Sequence, residues 1–202
     1  MQIETKLKSG PDGRHLRSEK SRAVIASAML EMVRETGTMP TTDAVADRAG
    51  VSRRSVFRHY ADVSELVVAA YDLQREEAFR RYPRGDASNW STEERVAAYA
   101  ERAAEIYEFV SPVRRAATHM SRDYATLLEL MRTDDVEQQK IIKELFGQAL
   151  GQSSDVLLPA LASVSSWTHW NALRTEQGLS VEKARTVVTT LMKAVLAQAG
   201  SQ

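Results

Sequence analysis

Apolar residues recur at i, i+3 and i+4 along almost the whole of this 202-residue chain, and runs that alternate with period two are nearly absent. Residues at the first spacing share one face of a helix, whereas a half-buried strand needs alternation. The pattern predicts an all-α fold of about nine helices. Breaks in it set the boundaries. Residues 1–17 hold Gly10-Pro11-Asp12-Gly13 and little apolar material, and read as a flexible basic arm carrying Lys6, Lys8, Arg14 and Arg17. A first helix covers about 18–36, with Ile25, Ala28, Met29, Met32 and Val33 on one face and Gly37 as its stop. Thr41 caps a short second helix that Gly50 ends, Ser52 caps a third reaching about Tyr60, and a linking helix covers about 62–82. Pro83-Arg84-Gly85-Asp86-Ala87-Ser88-Asn89 then clusters helix breakers and turn formers. It divides the chain into a small domain over 18–62, followed by the linking helix, and a larger one over 83–202. In the larger domain Ser91 and Glu94 form a capping box for a helix to about Val110, and Ser111-Pro112 reads as the start of another. After a break at Gly151 to Asp155, one helix is expected to reach about Gln177, and Ser180 caps the last, to about Ala199.

Several classes are disfavoured at once. No apolar run approaches the roughly 18 residues of a membrane-spanning helix, and the first residues lack the apolar centre of a secretion signal, so a cytoplasmic protein is expected. The sequence has no cysteine, which removes disulfides, thiolate metal sites and cysteine nucleophiles. The four histidines are scattered, and there is no His-Glu-x-x-His, Gly-x-Ser-x-Gly or phosphate-binding glycine loop. No catalytic residue, metal or cofactor is expected.

The net charge of zero conceals an asymmetry. Residues 1–60 carry +4 and residues 61–202 carry −4, as expected when one small module faces a polyanion and the rest does not. The basic part contains a specific arrangement. Two short helices that cross steeply need a small residue where they touch, a residue tolerant of positive φ in the turn, and an apolar lock. Ala46, Gly50 and Val56 meet these needs, with Val45, Ala49 and Val51 at the other inward positions. An ordinary helical hairpin in a core would use the same three residue types, so the outward chemistry decides. From Arg48 to Ala61 there is no acidic residue, and the first turn of the third helix is Arg53-Arg54-Ser55. Arginines there oppose the helix dipole, an arrangement that phosphates would relieve. In a major groove that turn meets base edges, where arginine pairs with guanine O6 and N7. The reading assigns Arg53 and Arg54 to base edges or nearby phosphates and Ser55 to either. Thr41, Thr42, Ser52, Arg58, His59 and Tyr60 are assigned to the DNA backbone.

Residues about 20–66 resemble the DNA-binding domain of TetR-family repressors. The resemblance rests on Ile25, Ala28, Gly37, Thr41, Val45-Ala46, Ala49-Gly50-Val51-Ser52, Val56-Phe57, His59-Tyr60 and Leu66. It covers about a quarter of the chain. Elsewhere the likeness is in length, helicity and the Gly178-Leu179-Ser180 break. Three positions depart from the family pattern: Phe57 stands where tyrosine is usual, Val63 where lysine is usual, and Asp43 where a basic residue is frequent. The first two commonly touch phosphate, and Arg58 or the basic arm could substitute for them, the arm by entering the minor groove.

The resemblance implies a homodimer whose last two helices pair with their symmetry mates. The broad apolar stripes that include Leu161 and Val164 on one helix, and Val188, Leu191, Met192 and Val195 on the other, allow that pairing, although burial within one chain explains them as well. A twofold dimer also suits a palindromic duplex site with half-sites about 34–36 Å apart. Tyr99, Tyr107, Phe109, Met120, Tyr124, Leu127, Met131, Trp167 and Asn171 could line a cavity for an apolar or amphipathic effector, or could simply be core. The sequence therefore reads as a ligand-responsive DNA-binding regulator, expected to be a repressor, with operator DNA, a small effector and a second copy of itself as partners. The rival readings are a helical protein-interaction module and an all-α enzyme.

Overall fold

The structure is a computed structural model and describes residues 13–120 and 125–199. Among the described residues there are nine α-helices, one turn of 3-10 helix and no strand, as the apolar periodicity predicts. No described helix is long and apolar enough to cross a membrane. The helices are α1 (Gly13–Thr36), α2 (Thr42–Ala49), α3 (Arg53–His59), α4 (Val63–Arg81), α5 (Thr92–Met120), α6 (Ala125–Leu150), α7 (Ser154–Val164), α8 (Trp167–Thr175) and α9 (Val181–Ala199). The chain forms two compact units, Met1–Leu73 and Gln74–Gln202. Their boundary falls inside α4, ahead of the Pro83–Asn89 breakers, and α1 begins five residues before the expected Ser18.

In the first unit α1, α2 and α3 pack against one another. Ile25, Met29 and Val33 of α1 meet Val45 and Ala46 of α2 and Val56 of α3 in a buried centre. Local chemistry fixes each helix end. Thr41 Oγ1 accepts the Ala44 N–H at 3.2 Å, Ser52 Oγ accepts the Ser55 N–H at 3.2 Å, and Asp62 Oδ1 accepts the Glu65 N–H at 2.9 Å. Each supplies a partner that the first turn of a helix otherwise lacks. Gly50 closes α2 in the left-handed region at φ 66°, and its N–H points to the Ala46 and Asp47 carbonyls. The Val51 N–H also reaches Ala46 O, at 3.0 Å. This wrapped end turns the chain directly into α3.

The second unit is built on α5, which packs against α6, α8 and α9, while α7 packs against α6 and α9. Its centre holds Ile142, Phe146, Leu150, Leu161, Trp170, Leu173, Ala184, Val188 and Met192. Three expectations are corrected here. Ser111-Pro112 does not start a helix, because α5 runs through Pro112 to Met120. Proline removes one backbone donor, but both neighbouring turns are anchored. Glu108 binds Trp170 and Arg174, and Ser111 Oγ accepts the Trp167 indole N–H at 3.0 Å. The helix expected to reach Gln177 breaks at Ser165-Ser166 into α7 and α8, because buried Ser165 serves as a polar hub. Its carbonyl accepts from Tyr107 Oη at 2.8 Å, its Oγ accepts from Gln138 Nε2 at 3.0 Å, and Ser166 then caps α8. Finally, Leu161, Val188 and Met192 are fully or almost fully buried in this chain's own core and offer no surface to a partner. Val164 and Val195 only pack against its edge, and Leu191 is half-buried.

A Cβ added at Gly50 would meet nothing within 4 Å, so Gly50→Ala should carry only the left-handed backbone cost. We expect a loss of about 1–2 kcal/mol in urea unfolding, with the helical circular dichroism spectrum retained.

Candidate nucleic-acid interface

The seven-residue α3 has one apolar anchor, Val56, and a polar outer face. Arg53, Arg54, Phe57 and Arg58 are all exposed. Arg54 has no partner among the described residues. Arg58 donates to Ser55 Oγ at 2.8 Å. Arg53 approaches Asp43 Oδ2 of α2 at 3.1 Å and stands over the Phe57 ring, 5.7 Å from its centroid. Both members of the Arg53–Asp43 pair are more than three-fifths exposed, so in water the pair is weak and easily exchanged. The cationic side chains therefore project away from the unit and are not folded into its core. Thr41 and Ser52 spend their hydroxyl acceptors on helix caps, which leaves each hydroxyl hydrogen free to donate. Thr42 is half-buried.

Tyr60 is a correction. It was expected on the outward face, but its side chain is 1% exposed and its hydroxyl donates to Arg22 O of α1 at 2.8 Å. The hydroxyl is thus committed inside the unit. His59 is intermediate: its Nε2 is buried without a hydrogen-bond partner. Burial first, and then Arg58 and Arg22, hold its pKa below the ordinary histidine value. It brings no cation to the surface at neutral pH.

Sequence reading passed over Arg22 and Glu65, which hold this face in place. The Arg22 guanidinium lies over the Tyr60 ring, 4.2 Å from its centroid. It donates to His59 O at 2.5 Å and to Glu65 Oε1 at 2.6 Å, while Glu65 Oε2 accepts the Ala61 N–H at 2.7 Å. One arginine thus ties α1 to the end of α3 and the start of α4. The Ala61 N–H, followed by Arg22, lowers the Glu65 pKa. The i, i+4 spacing of Ala61 and Glu65 at a helix start was the available signal. The 43-residue separation of Arg22 from Glu65 gave none.

Seven of the nine residues expected to line an effector cavity have described side chains. Tyr99, Leu127, Met131 and Trp167 are buried, and Tyr107 is engaged at Ser165. Phe109 stacks edge-on with Tyr82, and Asn171 accepts from Arg115 at 3.2 Å. Tyr124 and the side chain of Met120 lie outside the described residues. The second unit has a cleft of about 440 Å³ bordered by Gln138, Lys143, Pro159 and Thr168, and another of about 430 Å³ bordered by Trp90, Arg95, Tyr99 and Arg102. Of the seven described, Tyr99 alone borders either of these two. Among the described residues no group of three or more His, Cys, Asp or Glu could hold a metal ion.

The fold can be set beside solved structures. A transcriptional regulator from Rhodococcus sp. Rha1 superposes with a TM-score of 0.71 at 14% identity, over 88% of this chain and 97% of its own. A candidate TetR-family transcriptional regulator from Rhodococcus sp. gives 0.66 at 18% identity, over 88% and 99%. The chain has the TetR-family fold. A further candidate member, from Mesorhizobium loti MAFF303099, gives 0.63 at 14% identity, over 90% and 97%. No protein-family model and no curated protein matches the sequence. At these identities the likeness is one of architecture.

Burial raises the Tyr60 phenol's pKa to about 12, against an opposing pull from Arg22. The neutral phenol is the form that the fold favours. Its contribution to stability is complete below the unfolded value of about 10 and is lost as pH rises through the folded value. Burial also holds the Tyr107 phenol well above its ordinary value, so ultraviolet titration should show more than one late-ionising tyrosine, and Tyr60→Phe should remove one of them. Unfolding midpoints of the wild type should fall more steeply than those of the variant above pH of about 10.

Proposed function

We propose that this protein is a TetR-type transcription regulator: a homodimer that inserts α3 of each protomer into successive major grooves of a palindromic operator and releases it when a small molecule binds the second unit. The observation that carries the reading is the outer face of α3. Within a fold shared with transcription regulators, Arg53, Arg54 and Arg58 stand exposed on a helix that contains no carboxylate. Arg54, unpaired and in the first turn, is the prime candidate for reading a base edge, with Arg53 beside it once Asp43 is displaced. Ser52, Ser55, Thr41 and Thr42 supply neutral donors toward phosphates. Twofold pairing would use α7 and α9 through residues that remain partly open, Val164, Leu191 and Val195, together with Val156, which is 75% exposed.

Release requires an effector that binds the DNA-incompetent state more tightly. A hundred-fold difference corresponds to about 2.7 kcal/mol of coupling. The continuous helix α4, which begins in the first unit and ends in the second, is the element proposed to carry it. A cytoplasmic location and a repressor's role belong to the same proposal.

Two substitutions test the reading by electrophoretic mobility shift on operator candidates drawn from flanking DNA. Replacing Arg54 with Ala should weaken specific binding by about 1–3 kcal/mol and relax selectivity at one position per half-site, with the thermal midpoint unchanged. Unchanged DNA binding would count against α3 as the reading helix. Asp43→Asn acts in the opposite sense, because it removes an anion beside the phosphates and frees Arg53. It should tighten binding to every sequence and steepen the salt dependence by about one unit of log–log slope per protomer.

A further inference from the structure

The cleft of about 430 Å³ in the second unit is walled by the Pro83–Trp90 connection, by Arg95, Ala98, Tyr99 and Arg102 of α5, and by Ile141, Glu144 and Leu145 of α6. Its volume lies at the small end of the roughly 300–1,000 Å³ usual for small-molecule sites. The charges around it do not balance. Three arginines, Arg84, Arg95 and Arg102, face two carboxylates, Asp86 and Glu144. Both carboxylates are engaged: Glu144 Oε2 with Arg84 at 2.5 Å, and Asp86 Oδ1 with the Ser88 N–H at 3.0 Å. Among the described residues the other two guanidiniums hydrogen-bond only to backbone carbonyls. Arg102 Nε donates to Tyr82 O at 2.8 Å, and Arg95 donates through one terminal nitrogen to Leu145 O at 2.9 Å. The Arg95 Nε is buried without a hydrogen-bond partner. A carbonyl dipole satisfies a donor but does not neutralise a charge, and a half-buried cation without an anion is costly. Burial first, and then the nearby Arg84, lower the Arg102 pKa, as expected of a cation lacking a counter-charge. The rest of the lining includes apolar side chains. Trp90 lies so close to Gly85 that an added Cβ would stand 3.2 Å from its ring, and Ile141, Leu145 and Ala98 also line the cleft.

We propose that this cleft binds a small organic carboxylate with a flat apolar body, its carboxylate held between Arg102 and Arg95 and its body laid against Trp90, Ile141 and Leu145. Planar guanidinium groups are suited to a carboxylate's two oxygens, and the cavity has room for a bicyclic acid. Treating such an acid as the effector rests on the regulator reading; the binding itself does not.

The test uses the full chain and two shape-matched probes, 2-naphthoate and neutral 2-naphthamide, in isothermal titration calorimetry without DNA. Naphthoate should bind once per chain, at least about ten-fold more tightly than naphthamide, the order expected for a charge-assisted contact. Arg102→Gln should erase that preference, and Arg102→Lys, which keeps the charge, should retain part of it, both with wild-type thermal midpoints. Absent naphthoate binding, equal binding of the two probes, or a preference that survives Arg102→Gln would overturn the site. A mobility shift with naphthoate then addresses its role. Weakened DNA binding supports an effector seat, whereas tight naphthoate binding that leaves DNA retention unchanged overturns that role and leaves the site standing. Loss of DNA binding by the unliganded protein would overturn the regulator reading alone.

Discussion

Arg22 is the interaction on which the first unit's presented surface depends. A seven-residue helix is too short to persist by propensity, and α3 contributes only Val56 deep in the core. What fixes its exit is a cation placed over Tyr60 that also binds His59 O and Glu65. Its partners are a carbonyl, a carboxylate and a ring face, from two stretches of chain, so that displacing the carbonyl or the carboxylate leaves a donor unmet. Gly50 does the complementary work at the other end, sending the chain from α2 into α3 with the Ala46 and Asp47 carbonyls of α2 occupied. The outer face of α3 is thus held between two constraints that make no use of its own side chains, and those side chains can be chosen for their chemistry.

The second unit relies on polar hubs where a purely apolar core would leave irregular backbone unmet. Ser165 interrupts what the sequence writes as one helix and collects Tyr107 and Gln138. Glu108 collects the indole of Trp170 and the guanidinium of Arg174. Burial opposes the Glu108 charge, but these donors outweigh it and the pKa is lowered.

The helices and their caps were legible because the code for them is local. Thr41, Ser52, Ser91 and Ser180 cap as their neighbours' spacing indicates, and Gly50 takes the positive φ that a steep turn demands. What could not be read depends on distant partners. Tyr60 follows exposed Arg58 and half-buried His59, and its hydroxyl is held by Arg22 O, 38 positions away. Pro112 stays within α5 because Trp167 and Trp170, from another helix, anchor its flanks. Leu161, Val188 and Met192 carry the same apolar stripe whether it faces this chain or another. Aromatic and methionine residues mark the expected effector positions, and the same residue types also make a core. The uncompensated arginines of the second cleft become visible only once α5, α6 and the Pro83–Trp90 connection stand together.

On the regulator reading, the Arg53–Asp43 contact changes how such a protein would search a chromosome. Arg53 arrives already engaged, and every encounter with a phosphate has to exchange one oxygen anion for another while Asp43 is left facing the polyanion. That handicap is the same at every random sequence, so non-cognate residence shortens and one-dimensional scanning quickens. A correct site can offset it with a directional bond that a phosphate does not supply. A residue that weakens adhesion everywhere can in this way sharpen the contrast between one address and the millions of others.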